Sequence, residues 1–441
     1  MNWESVRKEA VGYLQNLIRL NTTNPPGNEI LAAEYIADVL RREGIEPTIL
    51  ESAPGRANLV ARLKGSGEAG PLLLSGHIDV VAAEPEFWDR DPFGGDIADG
   101  YIWGRGALDM KGMVAAELTV FLYLKRAGLP LKRDVIFMAN ADEERSSQLG
   151  AVWVADNYPE LIRAEYAFNE GDGRAVKIGG RTFFFCETAE KGMARFRMRT
   201  QGGPGHGSRP RDDNAVVSLA EAIAKLGRID MPLRVTPTVR VFLDAIAEAF
   251  SPNVRAQLPG LLDPSTHRQV LAAMPVNDEL RRRLFAMLRN TATPTVLSAG
   301  SKVNVIPSVA EALVDGRTLP GVTLDDFIAE VRAVVGDQVE IEFTEVTPPV
   351  ESAVESPLFD IIKQVMAEHE PHATVVPSLV TGATDAKSLT RLGAKVYGFF
   401  PARYDPTVFG SVHGHNERVS IDNLLFGTQV MHDIVVRFCC H

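Results

Sequence analysis

Apolar residues recur three and four apart at Val6, Ala10, Leu14 and Leu17, which is one face of a helix. Asn21-Thr22-Thr23-Asn24-Pro25-Pro26-Gly27 ends that helix, and a second amphipathic stretch runs from about Glu29 to Glu43 and stops at Gly44. Short β-rich runs follow at Thr48 to Leu50, Asn58 to Leu63 and Leu72 to Leu74. A helical segment from about Lys111 to Arg126 leads to the apolar run Val135 to Met138. Ala151 to Asn157 then reads as helix and Tyr166 to Phe168 as strand. Strands alternating with helices predict an α/β sheet with helices packed on both faces.

The pattern changes near residue 190. Met193 to Thr200 alternates, with Arg195, Arg197 and Arg199 outward, as in a strand with one wet face. A helix is expected from about Asp213 to Leu226, and residues 230–292 are helical in pattern, broken at Pro252, Pro259, Pro264 and Pro275. Val296 to Val305, Glu311 to Arg317, a helix Leu324 to Val335 and a strand Val339 to Phe343 complete the unit. Two strands, each paired with a helix, make a small α+β domain of residues 191–348. It is inserted into a larger discontinuous domain of residues 1–190 plus 349–441, whose last part returns to αβα.

The 441 residues are 45% apolar and 23% charged, a globular balance that excludes global disorder. Acidic residues outnumber basic ones, 57 against 46, leaving a net charge of −11 and no basic surplus for nucleic acid. Arg281-Arg282-Arg283 reads as the solvated face of a helix. No apolar run of membrane-spanning length occurs, and Met1-Asn2-Trp3-Glu4 does not open a signal peptide. With three cysteines and no disulfide framework, the expectation is a cytoplasmic protein.

The acidic residues and histidines fall in a telling place. His77 and Asp79 lie just past a buried strand, and Asp109 closes a Gly-rich loop that opens a helix. Asp142-Glu143-Glu144 and Asn169-Glu170 end the next two strands. Ligands of open α/β sheets bind outside the carboxyl ends of the strands, so these clusters converge. Carboxylates so gathered cannot all remain ionised without cations. Imidazole and carboxylate donors without thiolate suit zinc, with Co²⁺ or Mn²⁺ as substitutes. Two such ions about 3.5–4 Å apart, bridged by one carboxylate, form a known arrangement.

The ordered set of motifs, from Asn24-Pro25-Pro26-Gly27 to His413-Gly414-His415-Asn416-Glu417, resembles one family. It comprises the metal-dependent amidohydrolases and exopeptidases that include aminoacylase, carboxypeptidase G, acetylornithine deacetylase and succinyl-diaminopimelate desuccinylase. The resemblance implies a mixed-sheet, aminopeptidase-like di-zinc domain carrying an inserted lid and dimerisation domain. It implies His77, Asp109, Glu144, Glu170 and His413 as metal ligands, with Asp109 bridging and followed by a cis peptide bond. Asp79 would orient the His77 imidazole, and Glu143 would be the general base. His415 is a second candidate beside His413, and the motif favours His413.

The resemblance extends to the inserted domain. His206, in Gly205-His206-Gly207-Ser208, would reach a neighbouring subunit's site, which implies a homodimer. Asn304 would bind substrate, Arg317 would grip its carboxylate, and Gly382 would lie beside its backbone. The implied substrate is a small peptide or N-acyl amino acid. An N-acyl-amino-acid deacylase, a carboxypeptidase or dipeptidase, and a silent peptide-binding homologue remain open.

This chain departs from the commoner pattern in two places. Arg145-Ser146-Ser147-Gln148 follows the acidic triplet where relatives carry small residues, and extra helical sequence fills residues 240–290. Cys186 reads as a buried hydrophobe, Cys439-Cys440-His441 as a frayed end, and His267, His372 and His432 as structural or surface residues.

Overall fold

The computed structural model describes residues 3–171, 173–408 and 410–440. It divides into two compact units. The first is Met1–Thr188, Ser352–Pro377 and Thr384–His441; the second is Ala189–Glu351 with Ser378–Ala383.

The first unit is built on a mixed sheet. Its strands run in the order Thr48–Ala53, Arg56–Leu63, Val135–Asn140, Leu72–His77, Tyr166–Asn169, Lys395–Gly398 and Arg181–Glu190. The four strands from Val135–Asn140 to Lys395–Gly398 are mutually parallel, and antiparallel strands flank them. Alternation along each strand sorts the side chains between two cores. Leu72, Leu74, Val135, Phe137, Tyr166 and Phe168 face one core, made with helices Trp3–Arg19, Ile30–Arg42, Lys111–Ala127, Pro357–His369 and Ile421–Cys440. Leu73, Ile136, Met138 and Ala167 face the other, against Ala151–Asn157, Pro159–Ile162 and Ala386–Arg391. The expected two-sided α/β sheet is therefore present. Because His77 pairs with Asn140 and Asn169 with Gly398, the parallel strands finish at one common edge.

The second unit is an antiparallel sheet in the order Thr291–Ala299, Val309–Thr318, Gly192–Gln201 and Glu340–Thr347. Helices Ala215–Leu226 and Leu324–Val335 bury Leu219, Ala222, Phe327 and Val331. On the wet face Arg195, Arg197 and Arg199 meet Glu345, Glu342 and Glu340 at 2.7, 3.0 and 3.6 Å. The outward basic row thus completes cross-strand ion pairs, each worth about 1 kcal/mol or less. The helical stretch expected from 230 onward forms Pro237–Ala247, Pro252–Arg255, His267–Ala273 and Asp278–Met287. Pro252 begins a helix, where its missing N–H is harmless.

Several expectations need correction. The main sheet of this unit has four strands rather than two, and the strand placed at Val296 to Val305 is Thr291–Ala299. Gly300, at φ 62°, turns the chain, and Val305–Ile306 pairs separately with Gly205–His206. Arg181–Glu190 is the Phe-rich strand expected around Cys186, whereas its hairpin partner Ala175–Ile178 and the small sheet of Ile97–Ala98, Tyr101–Trp103 and Arg418–Ser420 were not anticipated. Cys439 is not frayed: it lies buried near the end of helix Ile421–Cys440, while His441 is outside the described residues. Arg281 is not merely solvated, since it donates to the carbonyls of Leu271, Met274 and Val276. Among the described residues no helix is long and apolar enough to cross a membrane.

Gly150 shows how closely the loop after Asn140 is packed. A Cβ there would overlap the Ala141 carbonyl oxygen, which is backbone and cannot swing aside. Gly150→Ala should destabilise the fold by about 1–3 kcal/mol, as overpacking does, in urea unfolding. An unchanged midpoint would show that helix Ala151–Asn157 shifts freely.

Candidate metal centre

The shared strand edge carries the acidic and imidazole groups. His77 ends Leu72–His77 and is buried; its Nδ1 lies 3.0 Å from the Asp79 carbonyl oxygen, so that nitrogen donates and Nε2 is the one turned to the carboxylates. Nε2 stands 3.1 Å from Asp109 Oδ1, 3.5 Å from Glu170 Oε2 and 4.0 Å from Glu143 Oε2. His413 Nε2 stands 3.1 Å from Asp109 Oδ2 and 3.0 Å from Glu144 Oε2. Asp109 thus has one imidazole on each oxygen. The peptide bond that follows it is cis.

Two overlapping groups, His77-Asp109-Glu144 and His77-Glu143-Glu170, place their ligand atoms within 4.8 Å of one another. Glu144 Oε1 is buried without a hydrogen-bond partner among the described residues. The donors are nitrogen and oxygen with no sulfur, and carboxylates outnumber imidazoles. These residues fit a pair of divalent cations.

Electrostatics point the same way. Burial raises the Glu143 pKa well above its usual value, and the Glu170 charge adds to it. Burial likewise raises Glu170. Burial opposes a charged His77, yet bonds to Asp109, Asp79 and Glu170 hold its pKa well above normal. Asp109 and then Glu144 hold His413 up at about 10. The cluster relieves its own repulsion with protons, which cations would displace.

The loops are pinned by Asp79, assigned to the His77 imidazole in the sequence reading, and by residues to which that reading gave no role. Asp79 accepts from the backbone N–H groups of Glu143 and Glu144, both at 3.2 Å, and from Asn24 Nδ2 at 2.8 Å. Asp142 adopts φ 65° and accepts from Asn24, Arg56, Ser146 and the Leu149 N–H. The Arg145-Ser146-Ser147-Gln148 departure is thereby explained in part: Ser146 closes the turn on Asp142. Arg56 is held in turn by a two-pronged pair with buried Glu29, 2.6 Å on each side.

Glu417 joins the two ligand loops. Its Oε1 accepts from the Leu108 and Asp109 N–H groups at 2.8 and 3.1 Å, and its Oε2 from Arg105 Nη1 at 2.6 Å. Arg105 also donates to the Gly414 carbonyl at 2.7 Å. Neither Arg105 nor Glu417 has an assigned role in the sequence reading, and nothing local in the sequence marks them as partners.

His413 and His415 part company. His413, at φ 57°, turns to Asp109 and Glu144, whereas His415 reaches Glu84 at 2.9 Å and stacks on Phe87. In the second unit, His206 and Asn304 come together through the Gly205–His206 and Val305–Ile306 pairing, with Gly207 N–H donating to the Asn304 carbonyl. Arg317 forms a two-pronged pair with Asp315, at 2.6 and 3.2 Å. Gly382 lies in the Ser378–Ala383 segment of that unit.

A sheet whose parallel strands end in such a cluster presents a metal-binding centre, and comparison with known proteins gives its class as that of metal-dependent hydrolases of amide bonds. Residues 73–437 match the family described as peptidase family M20/M25/M40. The chain is 31% identical to an N-fatty-acyl-amino acid synthase/hydrolase of Danio rerio, over 83% of this chain and 73% of that protein. An M20 family metallo-carboxypeptidase of Sulfolobus solfataricus shares the fold with a TM-score of 0.72 at 19% identity, over 97% of this chain and 98% of that one. The Bacillus subtilis YXEP protein, a dinuclear metal binding peptidase, does so with a TM-score of 0.62 at 14% identity, over 99% and 98%. The chain belongs to peptidase family M20/M25/M40.

Glu417→Gln keeps the shape but sets an amide against Arg105. It should weaken divalent-metal affinity by about 10–100-fold, as changes behind metal ligands do, in competition with a chromophoric chelator. Wild-type affinity in the folded variant would refute a role for this joint.

Proposed function

We propose that this protein hydrolyses the amide bond between an acyl group and the nitrogen of a small amino acid bearing a free carboxylate. One observation carries the reading: His77 with Glu170, and His413 with Glu144, stand on opposite oxygens of Asp109. That is the donor arrangement for two cations, with zinc as the first choice. The fatty-acyl-amino acid hydrolase among the relatives favours an N-acyl substrate, and a carboxypeptidase acting on short peptides is the alternative.

In this mechanism His77 and Glu170 would hold one cation and His413 and Glu144 the other, with a carboxylate oxygen of Asp109 available to each. When bound, the cations polarise the amide carbonyl and acidify a water. Glu143, beside His77 and raised in pKa by burial, would take the proton of a water as the water oxygen bonds to the carbonyl carbon. The C–N bond then breaks and Glu143 delivers the proton to the leaving nitrogen. Asp79 keeps Glu143 in place through the backbone N–H it accepts.

The second unit supplies the substrate contacts in this reading. His206 Nδ1 accepts from Ser208 N–H, which leaves the proton on Nε2. That N–H suits it to stabilise a developing oxyanion from a partner subunit of a homodimer. Arg317 grips the carboxylate, and Asn304 and Gly382 line the substrate.

The test is a panel of N-acyl amino acids, including fatty-acyl ones, and dipeptides, incubated with zinc-loaded protein and read by mass spectrometry. Released amino acid should disappear with chelator and fall about 10²–10⁴-fold in Glu143→Ala. A fully active Glu143→Ala protein would sink the mechanism, and cleavage of dipeptides alone would shift the substrate to the exopeptidase reading.

A further inference from the structure

Lys191 is among the least exposed charged residues of the second unit, at 1% exposure. Its ammonium makes a single side-chain hydrogen bond among the described residues, to Thr291 Oγ1 at 3.3 Å. Thr291 stands directly opposite Arg317 in the antiparallel register, and directly opposed side chains share a face. The Lys191 ammonium therefore lies on the Arg317 side of the sheet. Its backbone N–H donates to the Val380 carbonyl at 3.0 Å, in the segment that carries Gly382.

Among the described residues no carboxylate pairs with this ammonium. Burial, together with the nearby charges of Arg317 and Arg289, lowers the Lys191 pKa to about 7, while Asp315 alone pulls the other way. Asp315 is already shared, taking Arg317 Nε and Nη2 at 2.6 and 3.2 Å and Arg195 Nε at 3.3 Å. Arg317 Nη1 has no partner among these contacts. A buried ammonium facing two guanidinium groups is unfavourable, and a methionine of similar volume would pack there without that cost. An anion arriving at Arg317 removes the imbalance.

We propose that Lys191 is a second cation of the substrate-carboxylate clamp, binding the carboxylate together with Arg317 and setting the preference for acids over neutral analogues. The inference rests on the reading above, in which Arg317 is the first cation. The plain alternative is a lysine that only packs, for which methionine is an adequate replacement.

The experiment uses the zinc-loaded full chain and paired substrates, each N-acyl amino acid beside its carboxamide. It compares wild type, Lys191→Met, Lys191→Arg and Arg317→Met, with circular dichroism melts to check folding. In Lys191→Met the ratio of kcat/KM for acid over amide should collapse by about 10–100-fold, the worth of a charge-assisted hydrogen bond. The loss should lie mainly in KM, and Lys191→Arg should restore part of it. If Lys191→Met does not fold, Lys191→Gln carries the same reading. An unchanged ratio, or equal loss on both substrates, overturns the proposal. A ratio that falls in Lys191→Met but not in Arg317→Met overturns the two-cation clamp, because it removes Arg317 from it. A wild type that cleaves neither substrate overturns the amide-hydrolase reading, and the clamp with it.

Discussion

Asp109 holds an imidazole on each of its two carboxylate oxygens, and the surroundings follow from the charge this concentrates. Glu143, Glu144 and Glu170 add further carboxylates within a few contacts of the same point. Without cations the repulsion is relieved only by protons, which is why burial pushes Glu143 and Glu170 up and His77 and His413 retain theirs. Divalent cations relieve it without that protonation. The field that would splay an acidic cluster in water thus becomes the source of metal affinity.

Such a cluster survives only on a rigid frame. The parallel strands supply it, since their hydrogen-bonded register fixes where His77, Asn140 and Asn169 end. The loops beyond are held by buried polar ties rather than by apolar packing: Asp79 on the Glu143 and Glu144 N–H groups, Arg56 between Glu29 and Asp142, and Glu417 between Arg105 and the Asp109 N–H. Buried ion pairs add little net stability over well-packed apolar residues. Their use here is geometric, because directional bonds fix a loop's position in a way that dispersion contacts do not.

The second unit follows different rules. Its helices bury an ordinary apolar face, while its other face is a ladder of arginine and glutamate at solvent-exposed positions. Most cations of that unit have an anion within reach. Lys191 stands out because it is buried and pairs with no anion among the described residues.

Periodicity made most of the fold legible. A spacing of three and four, or of two, states which way a residue points for burial, and that is a local property. Helix Lys111–Ala127 and strands Val135–Asn140 and Gly192–Gln201 were read within a residue or two of their ends for this reason. The residues that gather at Asp109 were legible because chemically scarce types fall directly after buried strands. Short strands such as Tyr101–Trp103 and Val305–Ile306 are too brief to show a period, and the Gly300 turn cut a run that looked continuous. His413 and His415 are the same residue type two apart, so only the backbone turn at His413 and the Glu84–Phe87 seat for His415 separate them. Arg105 and Glu417 lie 312 residues apart. The chain alone thus determined its elements, its two-sided sheet and its store of metal-binding groups, since burial direction and residue chemistry are written locally. Which distant residues became partners was decided by the tertiary structure, because topology alone brings remote segments within hydrogen-bond range.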